Sequence, residues 1–214
     1  MLDVRYGPDM DFMHPVQAVI PGTQGMVLAV LAETTAELSL RTTARLASVS
    51  PSQASRVLPG LVELGLVERR EVPPSSLFRL NRENVAAQVV IGLARSRETV
   101  LGRMGAAANE LPLRPVSLII FGSFARREAD RESDIDAVLV RPDEADDDIW
   151  AAGVEQWRTR VRALTGNPVG VIEISQSEAR DKLSNGSELW RDITRDGVVP
   201  HGATLDELRT VVHA

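Results

Sequence analysis

The stretch SLIIFGSFARREADRESDIDAVLV, Ser117 to Val140, has the spacing best suited to chemistry in this chain. An apolar run ends at Phe121, Gly122-Ser123 follows, and after ten residues Asp134 and Asp136 stand within a second apolar run. Carboxylates in a buried strand cost free energy unless they are paired, hydrogen-bonded or bound to a cation. Residues two apart on a strand share a face, with about 6.5–7 Å between their Cα atoms, so the two aspartates converge while Ile135 turns into the core. At neutral pH they repel, and a divalent cation resolves the conflict. Glycine lets a phosphate approach the backbone, N–H groups at a helix start bind it, and Ser123 adds a hydroxyl donor. Phosphate at one end and Mg²⁺ at the other suits phosphoryl or nucleotidyl transfer. A third acid would complete a two-metal site, and NPVGVIEIS offers Glu173, set between Ile172 and Ile174.

These residues need a sheet to hold them. The pattern predicts a strand over Val116–Phe121, a glycine turn with a short helix, and a strand over Asp134–Arg141. A helix over about Asp148–Leu164, a strand over Pro168–Ile174, a helix over about Ser177–Arg195 and a short strand Val198–Val199 follow. TLDELRTVVHA adds a last helix with a capping box, Thr204 with Glu207. Strands alternating with helices at this spacing describe an α/β or α+β domain.

Gly-Ser, ten residues, then Asp-Ile-Asp resembles the signature of the DNA polymerase β-like nucleotidyltransferases, in particular the minimal nucleotidyltransferases. FGSFARREA and SDIDAVLV carry the likeness, and RDGVVPHG (Arg195–Gly202) resembles the family's final strand. The resemblance spans about Val116–Gly202; Arg127 stands where the family often has glycine. It implies transfer of a nucleoside monophosphate, AMP from ATP, to an acceptor hydroxyl. Asp134 and Asp136 would ligate two Mg²⁺ ions, and Glu173 would help hold the catalytic one and assist deprotonation of the acceptor. Gly122 and Ser123 would grip the β- and γ-phosphates, with Arg126 neutralising charge nearby. Some members of this pattern act as antitoxins that adenylylate a partner toxin, which makes a protein acceptor one of the options.

The N-terminal half is organised differently. TQGMVLAVLAE puts Met26, Val27, Val30 and Leu31 on one helical face. In PSQASRVLPGLVELGLVERR, Ser50 is an N-cap, Pro51 takes the first helical position, Ala54, Val57, Leu61 and Leu64 form an apolar stripe, and Gly65 stops the helix. LVERRE and SLFRL flank Pro73-Pro74-Ser75 as a hairpin would. Leu40 to Leu80, with ARLASVSPSQASRVLPGLVELGLV at its centre, resembles a winged helix-turn-helix. The resemblance implies double-stranded DNA as partner, with Ser52, Gln53 and Arg56 facing the major groove and Arg69 and Arg70 on the wing. Pro59 and Gly60 would bend that helix, and a protein-interaction module is the alternative. Asn81–Leu111 reads as one long or broken helix capped by Asn81, with Val85, Val89, Leu93, Val100 and Met104 along its seam. It is either a connector or the dimerisation helix of a homodimer.

The expected architecture is thus α+β. It comprises an N-terminal extension (1–20), a winged helix-turn-helix (21–82), a connecting helix (83–112), a nucleotidyltransferase domain (113–203) and a C-terminal helix (204–214). Composition bounds the rest. Among 214 residues there is no cysteine, so neither a disulfide nor a thiolate zinc site can form. No apolar run approaches the ~20 residues that cross a bilayer, and MLDVRYGPDMDFMHPV lacks the apolar core of a secretion signal. These features favour the cytoplasm. Net charge is −6, yet residues 21–84 carry seven Arg against six Glu and residues 113–203 twelve basic against seventeen acidic groups. The acidic half would need bound cations to hold a polyphosphate. His14, His201 and His213 lack ligand spacing, and Trp150, Trp157 and Trp190 sit at core helical positions. Two functions therefore compete: a Mg²⁺-dependent nucleotidyltransferase with a winged helix for DNA or partner binding, or a DNA-binding regulator that senses nucleotide without turnover.

Overall fold

The computed structural model describes residues 10–129 and 133–210. They divide into one compact unit over His14–Arg97 and a second made of Glu98 onward with the residues before His14. The predicted connecting segment is split between them.

In the first unit, α1 (Pro15–Val19), α2 (Thr23–Glu33), α3 (Leu40–Leu46) and α4 (Pro51–Glu63) precede a hairpin of β2 (Val67–Val72) and β3 (Ser75–Leu80). A two-residue strand β1 (Leu38–Ser39) pairs with β3, giving the order β1-β3-β2. Helix α5 (Val85–Ala94) completes the unit by packing on α1 and α2. Val27, Leu28, Leu31, Ala54, Leu58, Leu61 and Phe78 are buried in the shared core. Helix α4 starts sharply because Ser50 accepts from the Gln53 N–H while the Gln53 side chain accepts from the Ser50 N–H, satisfying two orphan donors reciprocally. Pro59 does not end the helix, which runs unbroken to Glu63. The proline removes the donor for the Ser55 carbonyl, but both residues are exposed, so water can supply the partner. Asn81 is not the cap of the next helix. Its amide donates to the Gly65 carbonyl at 2.9 Å, and Asn84 caps α5 instead.

Helix α6 (Ser96–Asn109) is separated from α5 at Arg95, and all but its first two residues belong to the second unit. That unit's sheet holds β4 (Ser117–Phe121), β5 (Ile135–Arg141), β6 (Val169–Ser175) and β7 (Val198–Gly202) in the order β6-β5-β4-β7. The β5/β6 pair is parallel, joined through α8 (Asp147–Thr165), and the other two pairs are antiparallel. One sheet face supplies Leu118, Ile120, Ala137 and Leu139 to a core shared with α6 and α8. The opposite face supplies Ile119, Val138, Val140 and Ile174 to a core with α9 (Gln176–Asn185), α10 (Glu188–Asp196) and α11 (Leu205–Thr210). The single helix expected over Ser177–Arg195 is two: the backbone is extended at Gly186 (φ −73°, ψ 173°), which ends α9, and the close fit there, with a Cβ 2.1 Å from the Lys182 carbonyl oxygen and 2.5 Å from Trp190, admits only glycine. The acidic run at the start of α8 serves the helix: Asp146 accepts from the N–H groups of Asp148 and Ile149.

The Ser50–Gln53 box gives the first prediction. Ser50→Ala lowers the stability of the helix-turn-helix unit by about 1 kcal/mol, read as a shift of its urea midpoint, whereas Ser55→Ala at the exposed mid-helix leaves it within about 0.5 kcal/mol.

Candidate functional site

Strand β4 delivers its end to Asp136, since Phe121 and Asp136 are cross-strand partners. The next residue, Gly122, has φ +69°, and a Cβ there would sit 2.5 Å from Asp136 Oδ2. Backbone conformation and space both demand glycine, so the turn lies directly against the carboxylate. Helix α7 (Gly122–Arg126) then carries Ser123, whose hydroxyl makes no hydrogen bond among the described residues. Phe12, from the chain's N-terminal segment, sets its ring edge-on to Phe124 at 5.9 Å and so supports this helix. Nothing in the local sequence of Phe12 indicates that contact. Arg127 ends α7 in the left-handed conformation, φ +62°, which explains why glycine would suit the position.

Asp134 is exposed and Asp136 partly buried. Burial pushes the Asp136 carboxyl above its ordinary value, the Asp134 charge pushes the same way, and the Arg126 guanidinium pulls it back. Two carboxylates close enough to repel, with only a distant arginine in compensation, suit one divalent cation. Arg126 is drawn partly aside by Glu128, 2.8 Å away.

Glu173 does not join the pair. Strands β5 and β6 run in parallel register with Asp136 opposite Gly170 and Leu139 opposite Glu173. Side chains alternate between faces, so Gly170, Ile172 and Ile174 share the Asp136 face while Glu173 points through the other. It is displaced along the strand by three residues as well, about 10 Å. There it accepts a hydrogen bond from the Trp150 indole N–H at 2.6 Å. A structural task thus occupies the acid expected at the metals. Among the described residues, no group of three or more His, Asp or Glu side chains is gathered closely enough to hold a metal ion. The described residues fit one cation at Asp134 and Asp136, and among them nothing gathers for the expected pair of ions.

In the first unit, Ser52, Gln53 and Arg56 are all exposed on α4, as expected for a reading face. Gln53 and Ser52 are tied to Ser50, Gln53 through the capping box and Ser52 through a 2.9 Å hydroxyl contact. The wing arginines are engaged within their own unit. Arg69 pairs with Glu71 at 2.6 Å, and Arg70 pairs with Glu37 through two nitrogens, holding that carboxyl below its ordinary value. Arg41 and Arg45 on α3 and Arg56 on α4 are exposed with no side-chain partner among the described residues. Arg41 also borders an approximately 890 Å³ cleft between α4 and the hairpin, beside Leu58, Pro59, Arg69 and Phe78. Sequence reasoning passed over Arg41 and Arg45; their signal was spacing by one helical turn on the motif's first helix.

Comparison with known proteins agrees with this division. The family model described as the IclR helix-turn-helix domain matches residues 25–71, and the one described as the nucleotidyltransferase domain matches residues 106–189. No curated protein matches the chain significantly. A solved structure titled "Crystal structure of RV1404 from Mycobacterium tuberculosis" is 23% identical and covers 44% of this chain and 66% of its own, with a TM-score of 0.34. The chain therefore spans just under two thirds of that protein's length, and a likeness this slight carries no argument.

Two substitutions separate the acids. Glu173→Ala removes the acceptor of the Trp150 N–H, which water can partly replace because Glu173 is exposed, and costs about 0.5–1.5 kcal/mol of stability in urea, while cation-dependent nucleotide retention by the folded protein stays as in the wild type. For Asp136→Asn the signs reverse. A carboxyl whose folded pKa lies above its unfolded value costs stability once pH rises through that folded value, so removing the charge raises the Tm of chelator-treated protein at neutral pH and abolishes retention.

Proposed function

We propose, for a chain that joins an IclR-type helix-turn-helix domain to a nucleotidyltransferase domain, that the second domain binds a nucleoside triphosphate, ATP, with Mg²⁺ while the first binds double-stranded DNA. The contact of Gly122 with Asp136 carries the nucleotide reading, because it sets a phosphate-accepting turn and its free Ser123 hydroxyl against a carboxylate pair. Asp134 and Asp136 would hold the cation, which neutralises the polyphosphate. Gly122 and Ser123 would meet the phosphates, with Arg126 at the margin.

Transfer of AMP to an acceptor hydroxyl asks more of the site: a base near the acceptor and a further ligand for a cation there. Glu173 was the candidate for both, and its place on the other sheet face leaves those tasks without that group; the second function named from the sequence, a DNA-binding regulator that senses nucleotide without turnover, is the alternative reading. Nucleotidyl transfer remains the function only where the acceptor, a protein or nucleic-acid end, brings the missing group. A chain without cysteine and with no described helix able to cross a membrane is compatible with action in the cytoplasm. Val85 and Val89, apolar and exposed on α5, support a homodimer as the DNA-binding form.

Incubation in cell lysate with α-phosphate-labelled ATP and Mg²⁺ tests the nucleotide reading. Label is retained non-covalently by the wild type and lost from Asp134→Asn/Asp136→Asn, with pyrophosphate release alike in both. Covalent label on any acceptor in the wild-type sample alone establishes transfer and removes the sensing function.

For DNA, Arg41→Ala and Arg56→Ala each weaken duplex binding and reduce the salt slope by about one, while Arg70→Ala, already neutralised by Glu37, changes the slope less. Equal losses at all three positions would refute this assignment of phosphate contacts.

A further inference from the structure

The residue that decides how many cations this site takes is a glycine. On its own sheet face Asp136 has Val138 along β5, Phe121 across on β4 and Gly170 across on β6, with Asp134 just before the strand begins. Only Asp134 is an acid. A third carboxylate reaching the same point from the sheet would have to come from position 170. A Cβ built there lies 3.3 Å from Asp136 Oδ1, closer to that carboxylate than to any other group. Unlike Gly122, Gly170 has no positive φ, so its backbone does not require glycine. It lies within a regular strand, where glycine packs nothing and weakens pairing, and its effect is to leave the space beside Asp136 empty.

We propose that this domain holds a single divalent cation with its nucleotide, and that Gly170 is the determinant that withholds the second. The inference rests on the reading of Gly122, Ser123, Asp134 and Asp136 as a cation–nucleotide site. Two metal ions about 3.5–4 Å apart need bridging and terminal carboxylates in number, and two aspartates on one strand supply enough for one. Among the described residues no further carboxylate joins Asp134 and Asp136 to hold a cation at an acceptor oxygen, so the site would bind triphosphate and leave the acceptor side unserved. An acid placed at 170 would supply that ligand from the β6 position paired with Asp136, where a Cβ 3.3 Å from Oδ1 asks only a small shift of that carboxylate.

Manganese counting by electron paramagnetic resonance tests this on the full chain, with the non-hydrolysable α,β-methylene analogue of ATP present. The wild type binds one Mn²⁺ per chain in a nucleotide-dependent manner, Gly170→Asp binds two, and Gly170→Asn, equal in bulk but uncharged, stays at one and reports whether the position tolerates a side chain. Two ions in the wild type overturn the proposal, because some other group then completes the site. One ion in a folded Gly170→Asp, shown by unchanged circular dichroism, overturns the role given to Gly170. No nucleotide-dependent Mn²⁺ in any form defeats the underlying nucleotide reading as well, a result distinct from either. Should Gly170→Asp fail to fold, the wild-type count still decides between one ion and two.

Discussion

The in-register parallel ladder between β5 and β6 is the constraint on which the site depends. Once Asp136 is set opposite Gly170, every other residue of β6 is assigned to a face with no freedom left. Both faces are buried under helices, and Ala137 to Val140 are fully buried, so a slip of one residue would drive an entire apolar row into the wrong core. The ladder is therefore rigid, and the identity of residue 170, not the presence of an acid somewhere in the strand, determines what meets Asp136. Glu173 illustrates the consequence. Its carboxylate lies on the face of Leu139 and satisfies Trp150, whose ring is otherwise enclosed by the core that α8 builds.

Electrostatics divides the helix-turn-helix unit in a similar way. Residues 14–97 carry nine arginines against six glutamates, and the hairpin spends three of the arginines internally: Arg69 on Glu71, Arg70 on Glu37 and Arg79 on Glu68. Exposed pairs of this kind are worth little, under about 1 kcal/mol, so a phosphate could displace a glutamate from its partner. The displaced glutamate would then face DNA unpaired, and that repulsion cancels much of the gain. Cations without such partners deliver their full charge, which shifts the electrostatic footprint from the wing to the two helices of the motif.

Much of this architecture was legible from local chemistry. Ser50 before Pro51, Gly65 after Leu64 and the Thr204–Glu207 box are end signals whose partners lie within a few residues, and the structure uses each of them. The Gly122 turn was legible for the same reason. Glu173 was not. An acid between Ile172 and Ile174 lies on the face opposite theirs by alternation alone, but whether Asp136 sits with the isoleucines or with the acid depends on register between strands 34 residues apart in sequence, as in the pair Asp136 and Gly170. Pro59 lies inside α4, as its place in the sequence indicated, and does not break the helix. A missing donor matters when the orphaned carbonyl is buried, and α4 turns that carbonyl's residue to solvent. The break at Gly186 depends on contact with Trp190, which periodicity cannot reveal.

Two glycines flank Asp136, and they are there for different reasons. Gly122 is fixed by conformation and by contact, since no side chain fits at φ +69° with a carboxylate oxygen 2.5 Å away. Gly170 is fixed by neither; at 3.3 Å a small adjustment of Asp136 would admit a side chain. The first glycine therefore belongs to the fold of the turn against Asp136. The second is a choice about chemistry. A strand interior ordinarily favours a residue that packs, and leaving that position bare next to a repelling aspartate pair gains nothing for stability. On the proposed reading, a bare position 170 leaves that side of the Asp136 carboxylate uncovered for a cation-loaded polyphosphate.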